Sequence, residues 1–187
     1  MACGWVVLLC IAPTGGAPMV TVPAVRAVAG RGLEGDRYFV GSGTWQGWPD
    51  PELTLVEEEA VAAVARELGR RLDPAALRRN VVTRGVRLVD LIGRRFRLGS
   101  VWVEGVRPCD PCGYLERQVA PGLKAALAGR GGLRARILTT GVVRVGDPVV
   151  AAGADAGAAE AARSPSRTPS ALPPTLRGGG EEASGAG

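Results

Sequence analysis

Hydrophobic and polar residues alternate along this chain with two different periods. Val6 to Ile11 is a continuous apolar run whose β-branched residues are typical of a buried strand. From Glu57 to Leu68 the apolar residues recur every three to four positions, which predicts an amphipathic helix that Gly69 ends. Three glutamates open this helix, where they complement its dipole. We therefore assign them to helix stabilisation rather than to catalysis.

Most other apolar segments are short and bounded by glycine or proline. They predict strands at Val20 to Val28, Leu53 to Val56, Asn80 to Thr83, Arg95 to Leu98, Val101 to Val106, Leu133 to Thr139 and Val142 to Val145. Loops are predicted at Gly30 to Arg37 and Gly41 to Pro51, and one or two short helices, broken at Pro121-Gly122, between Tyr114 and Ala128. Many short strands with close turn signals favour a barrel or a sandwich over a parallel α/β sheet. The predicted fold class is mainly β, with a few peripheral helices.

The composition changes after Val150. Residues 151–187 contain no valine, isoleucine, aromatic residue, methionine or cysteine, and alanine, glycine, proline and serine dominate. Such a segment buries too little apolar surface to offset the entropy of ordering it, about 1–2 kcal/mol per residue for the backbone. We therefore predict one domain over residues 1–150 and a disordered C-terminal tail over residues 151–187.

The charged residues and the cysteines exclude several classes of protein. Up to Val150 there are 19 arginines and one lysine against 14 acidic residues, but they form no stripe and no stacking platform with aromatic residues, so we expect no nucleic-acid partner. The apolar run over residues 5–12 is too short to span a bilayer and lacks the basic flank of a signal peptide. Four cysteines are too few for a disulfide scaffold. These features predict a cytoplasmic protein without membrane contact.

The main candidate for chemistry is the segment Cys109-Asp110-Pro111-Cys112, which follows a predicted strand. A CxxC pair serves as a redox couple, as half of a zinc site, as structural thiols, or as one functional thiolate. The chain has no histidine, so Cys3 and Cys10 would have to complete a four-ligand zinc site. A redox couple normally precedes a long helix, which the pattern here lacks. We favour a thiolate that acts as a soft metal ligand or as a sulfur-bearing nucleophile, with Arg107 as a neighbouring positive charge.

A second candidate is Arg78-Arg79-Asn80, directly before a predicted strand. An arginine presents a rigid, charged fork to phosphate, and an asparagine two positions later adds a neutral donor and acceptor on the same strand face. Exposed arginines usually only solvate a surface. A phosphate site and a solvated surface both remain open at this point.

The short motifs of the chain follow one another in a recognisable order. They are Ile11-Ala12-Pro13, Gly16-Ala17-Pro18-Met19, Gly32 to Arg37, Leu53 to Ala60, Arg78-Arg79-Asn80, Leu91-Ile92-Gly93, Cys109 to Cys112 and Arg144 to Val149. Each is unspecific alone, but in this order and spacing they resemble the MOSC domain, named for the C-terminal domain of molybdenum-cofactor sulfurase. The resemblance covers residues 5 to 150 and implies a MOSC-type β-barrel with a few peripheral helices.

The resemblance also implies binding of the molybdenum cofactor, in which a pterin with a phosphate tail holds the metal through a dithiolene. Cys112 matches the cysteine that completes the metal coordination in amidoxime-reducing relatives, so it would be the metal ligand and the catalytic residue. Arg78 and Asn80 match the Arg-x-Asn motif that contacts the cofactor there. Asp36 and Arg37 match a family pair in which Arg37 would meet the phosphate.

Three functional interpretations follow from this resemblance. An enzyme would reduce N-hydroxylated small molecules by two electrons, with the electrons supplied by a separate reductase. A sulfur or cofactor carrier would instead use a persulfide on Cys112 without being a redox enzyme. A third interpretation is a small-molecule-binding domain without the metal. Pyridoxal phosphate, which the family's sulfurase uses in another domain, is not expected here, because the only lysine, Lys124, lies on a predicted surface helix.

Overall fold

The computed structural model describes residues 3–43 and 52–152. Their strands are β1 (Cys3–Ile11), β2 (Val20–Thr21), β3 (Ala24–Val28), β4 (Gly32–Leu33), β5 (Leu53–Glu57), β6 (Val81–Arg84), β7 (Arg95–Leu98), β8 (Val101–Pro108), β9 (Leu133–Ile137), β10 (Gly141–Arg144) and β11 (Pro148–Ala151). Their α-helices are α1 (Glu58–Glu67), α2 (Gly113–Val119) and α3 (Leu123–Ala126), and 3-10 turns occur at Pro74–Leu77 and Leu88–Leu91. This confirms the predicted fold class. Most of the predicted loop from Gly41 to Pro51, and the predicted tail after Ala152, lie outside the described residues.

Seven of the described strands close into a barrel, in the order β1-β11-β7-β8-β9-β5-β6 and back to β1. The strand β11 closes the ring, because Val149 pairs with Gly4 on one side and with Leu98 on the other. Strands β5 and β6 run parallel, since α1 and the turn that follows it form the crossover that such a pair needs. The strand β2 pairs with β1, and β3, β4 and β10 form a small second sheet.

Alternating side chains fill the barrel interior. In β8, Val101 and Val103 are fully buried, whereas Trp102 and Glu104, which alternate with them, are partly exposed. The interior includes Leu9, Leu53, Leu55, Phe96, Leu98, Leu133, Ala135 and Ile137. Full burial of each large apolar side chain stabilises the fold by about 1.5–3 kcal/mol.

The three helices cover one outer side of the barrel. Val61 and Val64 of α1 join Leu115 of α2 and Leu123 of α3 in a second apolar cluster, which also contains Val56 of β5. The predicted break at Pro121-Gly122 is confirmed, since it separates α2 from α3. This packing fixes α2, and with it the loop that connects α2 to β8.

The three glutamates at the start of α1 also bind the segment after β6. Glu57 accepts a hydrogen bond from the Leu88 amide at 2.7 Å, and Glu59 accepts one from the Gly85 amide at 2.8 Å. The Arg84 guanidinium donates to Glu58 and lowers the pKa of that carboxyl. The structural role that we predicted for these residues therefore includes anchoring α1 to the barrel.

The sequence pattern was less accurate at three points. The segment predicted as a loop from Gly30 to Arg37 contains the short strand β4, which pairs with β3. The single strand predicted from Val20 to Val28 is two strands, β2 and β3, separated by Val22 and Pro23, because proline has no amide to donate to a ladder. The closing strand β11 was not predicted, as it is short and begins with a proline. Within the part of the chain that the structure describes, no helix has both the length and the apolar character needed to cross a membrane.

Candidate functional site

A cleft of about 140 Å³ lies beside the loop between β8 and α2. One water needs about 10–15 Å³ of such space, so the cleft can hold a group the size of a phosphate together with water. The residues that line it are Arg37, Tyr38, Thr54, Arg78, Arg79, Cys109, Asp110, Cys112, Tyr114, Leu115 and Arg134. Three of the five site residues predicted above, Cys112, Arg78 and Arg37, therefore meet in one cleft.

The two cysteines of the CxxC segment differ in accessibility. Cys112 directly precedes α2 and is half-buried, whereas Cys109 is only 1% exposed. The Cys109 amide donates a hydrogen bond to the Gly132 carbonyl at 2.8 Å, which fixes the start of the loop against β9. Cys112 is thus the thiol that a ligand in the cleft can reach.

This difference in accessibility predicts selective alkylation of the folded protein. Cys10, in the wall of the barrel, is fully buried, and burial together with the negative charge of Asp73 raises the pKa of its thiol to about 11. At pH 8 such a thiol is about one part in a thousand thiolate, the reactive form. Iodoacetamide should therefore modify Cys112 at least about 100-fold faster than Cys10 or Cys109, as measured by peptide mass spectrometry, and the difference should vanish in guanidinium. Equal rates for Cys109 and Cys112 in the folded protein would contradict the assignment.

Arg79 holds the cysteine loop in place. Its guanidinium is buried and donates to three backbone carbonyls, those of Gly131 at 2.9 Å, Cys109 at 2.9 Å and Leu77 at 3.2 Å. Gly131 permits this close approach, because a Cβ there would lie 2.5 Å from the Cys109 oxygen. One side chain therefore joins three segments that meet at the cleft. The sequence pattern did not indicate this role for Arg79, although its position beside Arg78 was a usable signal.

Arg78 has a strained backbone. Its φ of 58° makes it the one non-glycine residue with positive φ among residues 3–43 and 52–152. Such strain costs about 1–3 kcal/mol for a non-glycine residue and is concentrated at functional sites. Its Nη1 donates to the Ala17 carbonyl at 2.7 Å, and burial together with the charge of Arg37 lowers the pKa of its guanidinium. A bound anion would offset the repulsion between the Arg37 and Arg78 guanidiniums and raise the pKa of Arg78 again.

Asp36 and Asn80 are placed differently from the other predicted site residues. Both are buried, neither lines the cleft, and Asn80 Nδ2 donates to Asp36 Oδ2 at 3.1 Å. Asn80 also donates to the Cys10 carbonyl and accepts from the amide and hydroxyl of Thr54. Direct contact of Asp36 or Asn80 with a cofactor stays a prediction. The prediction that Arg78 and Asn80 share a strand face is wrong, because Arg78 ends a 3-10 turn and β6 begins only at Val81.

The remaining cleft arginines are Arg37 and Arg134. Arg37 Nη1 pairs with Asp36 Oδ2 at 3.1 Å, and its Nη2 donates to the Arg78 carbonyl at 3.3 Å. The Nε of Arg134 is buried and has no hydrogen-bond partner within the described residues. Arg107, which we expected beside the thiol, does not line the cleft, and Lys124 is exposed on α3.

The electrostatic balance of the cleft favours an anion. Four arginines line it, and the acidic side chains near them are Asp110, which is exposed, and Asp36, which pairs with Arg37. Carbonyl dipoles rather than a carboxylate satisfy the Arg79 guanidinium. A positively charged cleft with partly desolvated walls concentrates anionic ligands.

The described residues form a closed β-barrel domain with an accessible thiol and four arginines in one cleft. The sequence model of the MOSC domain matches residues 42–150, which is more than half of the chain. The chain therefore belongs to the MOSC domain family. No functionally curated protein matches it significantly in sequence.

Solved structures of similar fold agree with this assignment. The YuaD protein from Bacillus subtilis is 20% identical, with a TM-score of 0.68 over 79% of this chain and 94% of that one. YiiM from Geobacillus stearothermophilus is 20% identical, with a TM-score of 0.65 over 83% and 78% of the two chains. YiiM from Escherichia coli is 22% identical, with a TM-score of 0.57 over 80% and 68%. At these identities the likeness extends to the fold alone.

Proposed function

We propose that this protein binds the molybdenum cofactor in the cleft and that the Cys112 thiolate is the protein ligand of the metal. The observation that carries the proposal is the position of the accessible thiol in a cleft with four arginines. A cofactor that brings its own dithiolene needs few ligands from the protein. This suits the described residues, which contain no group of three or more histidine, cysteine or acidic side chains arranged to hold a metal ion by themselves.

The residues of the cleft fit both ends of this cofactor. A phosphate monoester carries about −1.5 to −2 charges at pH 7, which matches the excess positive charge of Arg37, Arg78 and Arg134. The buried Nε of Arg134 supplies a hydrogen-bond donor that has no acceptor among the residues that the structure describes. At the other end, a cysteine thiolate is the soft ligand expected for the metal.

The surrounding residues position the groups that bind. Arg79 fixes the cysteine loop through the Cys109 carbonyl, so that the Cys112 thiol is held at the cleft rather than on a mobile loop. Asp36 orients the Arg37 guanidinium, and Asn80 anchors the segment before β6 to Thr54 and β1. Rigid placement of binding groups lowers the entropic cost of ordering them when a ligand binds.

The reaction that we propose is the two-electron reduction of N-hydroxylated small molecules. The reduction takes two electrons and two protons and releases the hydroxyl oxygen as water, and the bound cofactor would supply the two-electron redox chemistry. The chain's own part is to hold the cofactor, to orient it through Cys112, and to admit substrate at the open side of the cleft. We propose a separate reductase as the electron donor and the cytoplasm as the location, where thiols stay reduced.

A reductase assay tests this proposal. The full chain, purified from a host that makes the cofactor, is supplied with an N-hydroxylated substrate and reduced methyl viologen. We expect turnover by the wild type, and we expect it to fall to background in Cys112→Ala. Cys10→Ala is the matched control, since it removes a thiol outside the cleft. Full activity in Cys112→Ala would overturn the ligand assignment.

A sulfur or cofactor carrier is the alternative that the accessibility of Cys112 supports, because a donor protein can reach a half-buried thiol. A carrier would show no turnover in this assay. It would instead show a persulfide on Cys112, detected by mass spectrometry after treatment with a cysteine desulfurase. Free thiol alone after that treatment would count against the carrier.

A further inference from the structure

We propose that Arg134 is an oxyanion-binding residue of the cleft and that its Nε–H donates to an oxygen of a bound phosphate or chemically similar group. This inference deepens the proposed function, on which its physiological ligand depends. The chemical class of the ligand follows from the donor itself. A guanidinium presents a planar, always-charged fork that matches the oxygens of phosphate.

The buried Nε is the primary evidence. Nearly all buried polar groups in folded proteins have a hydrogen-bond partner, and a specific exception calls for an explanation such as an absent ligand or ion. The Nε of Arg134 is such an exception within the described residues, and the side chain lines the cleft. The side chain therefore reaches the cleft, and a turn of the guanidinium toward a ligand brings the Nε–H, which neighbouring atoms otherwise cover, within reach of it.

Two backbone carbonyls in the wall of the cleft already accept hydrogen bonds from another arginine. Arg79 takes the carbonyls of Cys109 and Gly131, and both of these distances are 2.9 Å. Asp110 lines the cleft but does not accept a hydrogen bond from the Nε of Arg134. A ligand oxygen thus supplies what the wall of the cleft does not.

The position of Arg134 in β9 makes it a precise binding residue. It lies directly opposite Thr54 of β5, while its neighbours Leu133 and Ala135 are buried in the barrel interior. Residues opposite each other in a sheet point to the same face, so Arg134 and Thr54 share the outer face. The hydroxyl of Thr54 bonds to Asn80 at 2.9 Å, which fixes this part of the sheet. On its other side Arg134 lies opposite Arg107 of β8, next to a register shift in that ladder. Groups on paired strands are nevertheless held more precisely than groups on loops.

The test measures phosphate binding to the full chain purified from a host that lacks the cofactor. Isothermal titration with inorganic phosphate compares the wild type, Arg134→Met, Arg134→Lys and Arg136→Met. Arg136 is the matched control, because it lies two residues further along the same strand and face but is 48% exposed and pairs with Glu104. We expect the affinity for phosphate to fall about tenfold or more in Arg134→Met and to stay unchanged in Arg136→Met. Arg134→Lys should also bind weakly, since it keeps the charge but loses the Nε–H donor.

Thermal unfolding of the same ligand-free variants separates binding from structure. In Arg134→Met an apolar chain of similar size replaces a buried donor that lacks an acceptor. The midpoint of thermal unfolding of this variant should therefore equal that of the wild type or exceed it. Wild-type phosphate affinity in Arg134→Met would overturn the inference. A midpoint for Arg134→Met well below that of Arg136→Met would also overturn it, because the side chain would then be structural.

The physiological source of the oxyanion is distinguished with protein from a cofactor-producing host. If the phosphate of the cofactor occupies Arg134, the loaded chain no longer binds inorganic phosphate. If a substrate group occupies it, the loaded chain still binds phosphate and Arg134→Met still weakens the binding. Either result supports the inference. A chain without molybdenum would defeat the proposed function but would leave the phosphate result for Arg134 standing.

Discussion

Replacing Asp36 with alanine is expected to lower the free energy of unfolding by about 3–5 kcal/mol, the loss typical of removing one partner of a buried ion pair. The Asp36 carboxylate is 2% exposed. Its Oδ2 accepts hydrogen bonds from the Ala12 amide, Arg37 Nη1 and Asn80 Nδ2, and its Oδ1 accepts one from the Tyr38 amide, each at 3.1 Å. Alanine would leave these four donors without their acceptor.

The size of the effect follows from the charge that remains. Arg37 is 6% exposed, so without Asp36 its guanidinium would be a buried cation without a carboxylate partner. A buried charge of this kind costs far more than an unpaired surface group. Asp36→Asn should also destabilise the protein, though less than alanine does. The amide oxygen of asparagine still accepts hydrogen bonds, but its NH₂ group is a donor that would face neighbours that are donors themselves.

Urea unfolding of the full chain measures this loss. Asp90→Ala is the control, because the Asp90 side chain is 58% exposed and pairs with Arg87 at 4.0 Å on the surface. A surface change of that kind should alter stability by no more than about 0.5 kcal/mol. In a thermal experiment each kcal/mol should move the midpoint by about 2–4 °C for a domain of this size. A loss below about 1 kcal/mol for Asp36→Ala would show that the network does not stabilise the fold in the way we describe.

The local elements of the fold were largely predictable from sequence because they depend on short-range periodicity. The helix α1 is an example, since its apolar residues recur at helical spacing and its observed range, Glu58–Glu67, lies within the predicted one. The closure of the barrel was not predictable in this way. It depends on Val149 of β11 pairing with both β1 and β7, and such contacts between distant segments leave no local pattern in a four-residue strand.

The cleft was predictable only in part, for a related reason. Cys112, Arg78 and Arg37 were identified through motifs that resemble a family. Arg134 was not identified, because an arginine that alternates with apolar residues in a strand is typical of a solvated surface residue. Arg136 occupies the same pattern and is indeed exposed, so only the tertiary structure distinguishes the two.

For Asp36 and Asn80 the family motif predicted cofactor contacts, but neither side chain lines the cleft. The resemblance groups them with the cofactor contacts, and nothing in the sequence separates a side chain that contacts a ligand from one that positions its neighbour. In the structure Asn80 Oδ1 and Nδ2 each have two protein partners, and Asp36 bonds both to Asn80 and to Arg37. Their saturated hydrogen bonds favour a positioning role, which matches the large loss of stability expected for Asp36→Ala.

Loss of the metal is the largest functional effect that we expect, and Cys112→Ala should produce it. The thiol of Cys112 is the accessible one among the described cysteine side chains, and the arginines of the cleft alone offer the metal no soft ligand. Cofactor that still binds through its phosphate would lack its protein ligand and should be lost during purification. Because Cys112 is half-buried at the edge of the helical cluster, alanine there should leave the fold intact.

The most direct test of the central claim is therefore the molybdenum and pterin content of the full chain purified from a cofactor-producing host. Wild type, Cys112→Ala and the control Cys10→Ala are compared, with circular dichroism to confirm that each is folded. We predict close to one molybdenum and one pterin per chain in the wild type and in Cys10→Ala, and a nearly complete loss of molybdenum in Cys112→Ala. A wild type without molybdenum or pterin, or a Cys112→Ala variant that keeps its full metal content, would contradict the account.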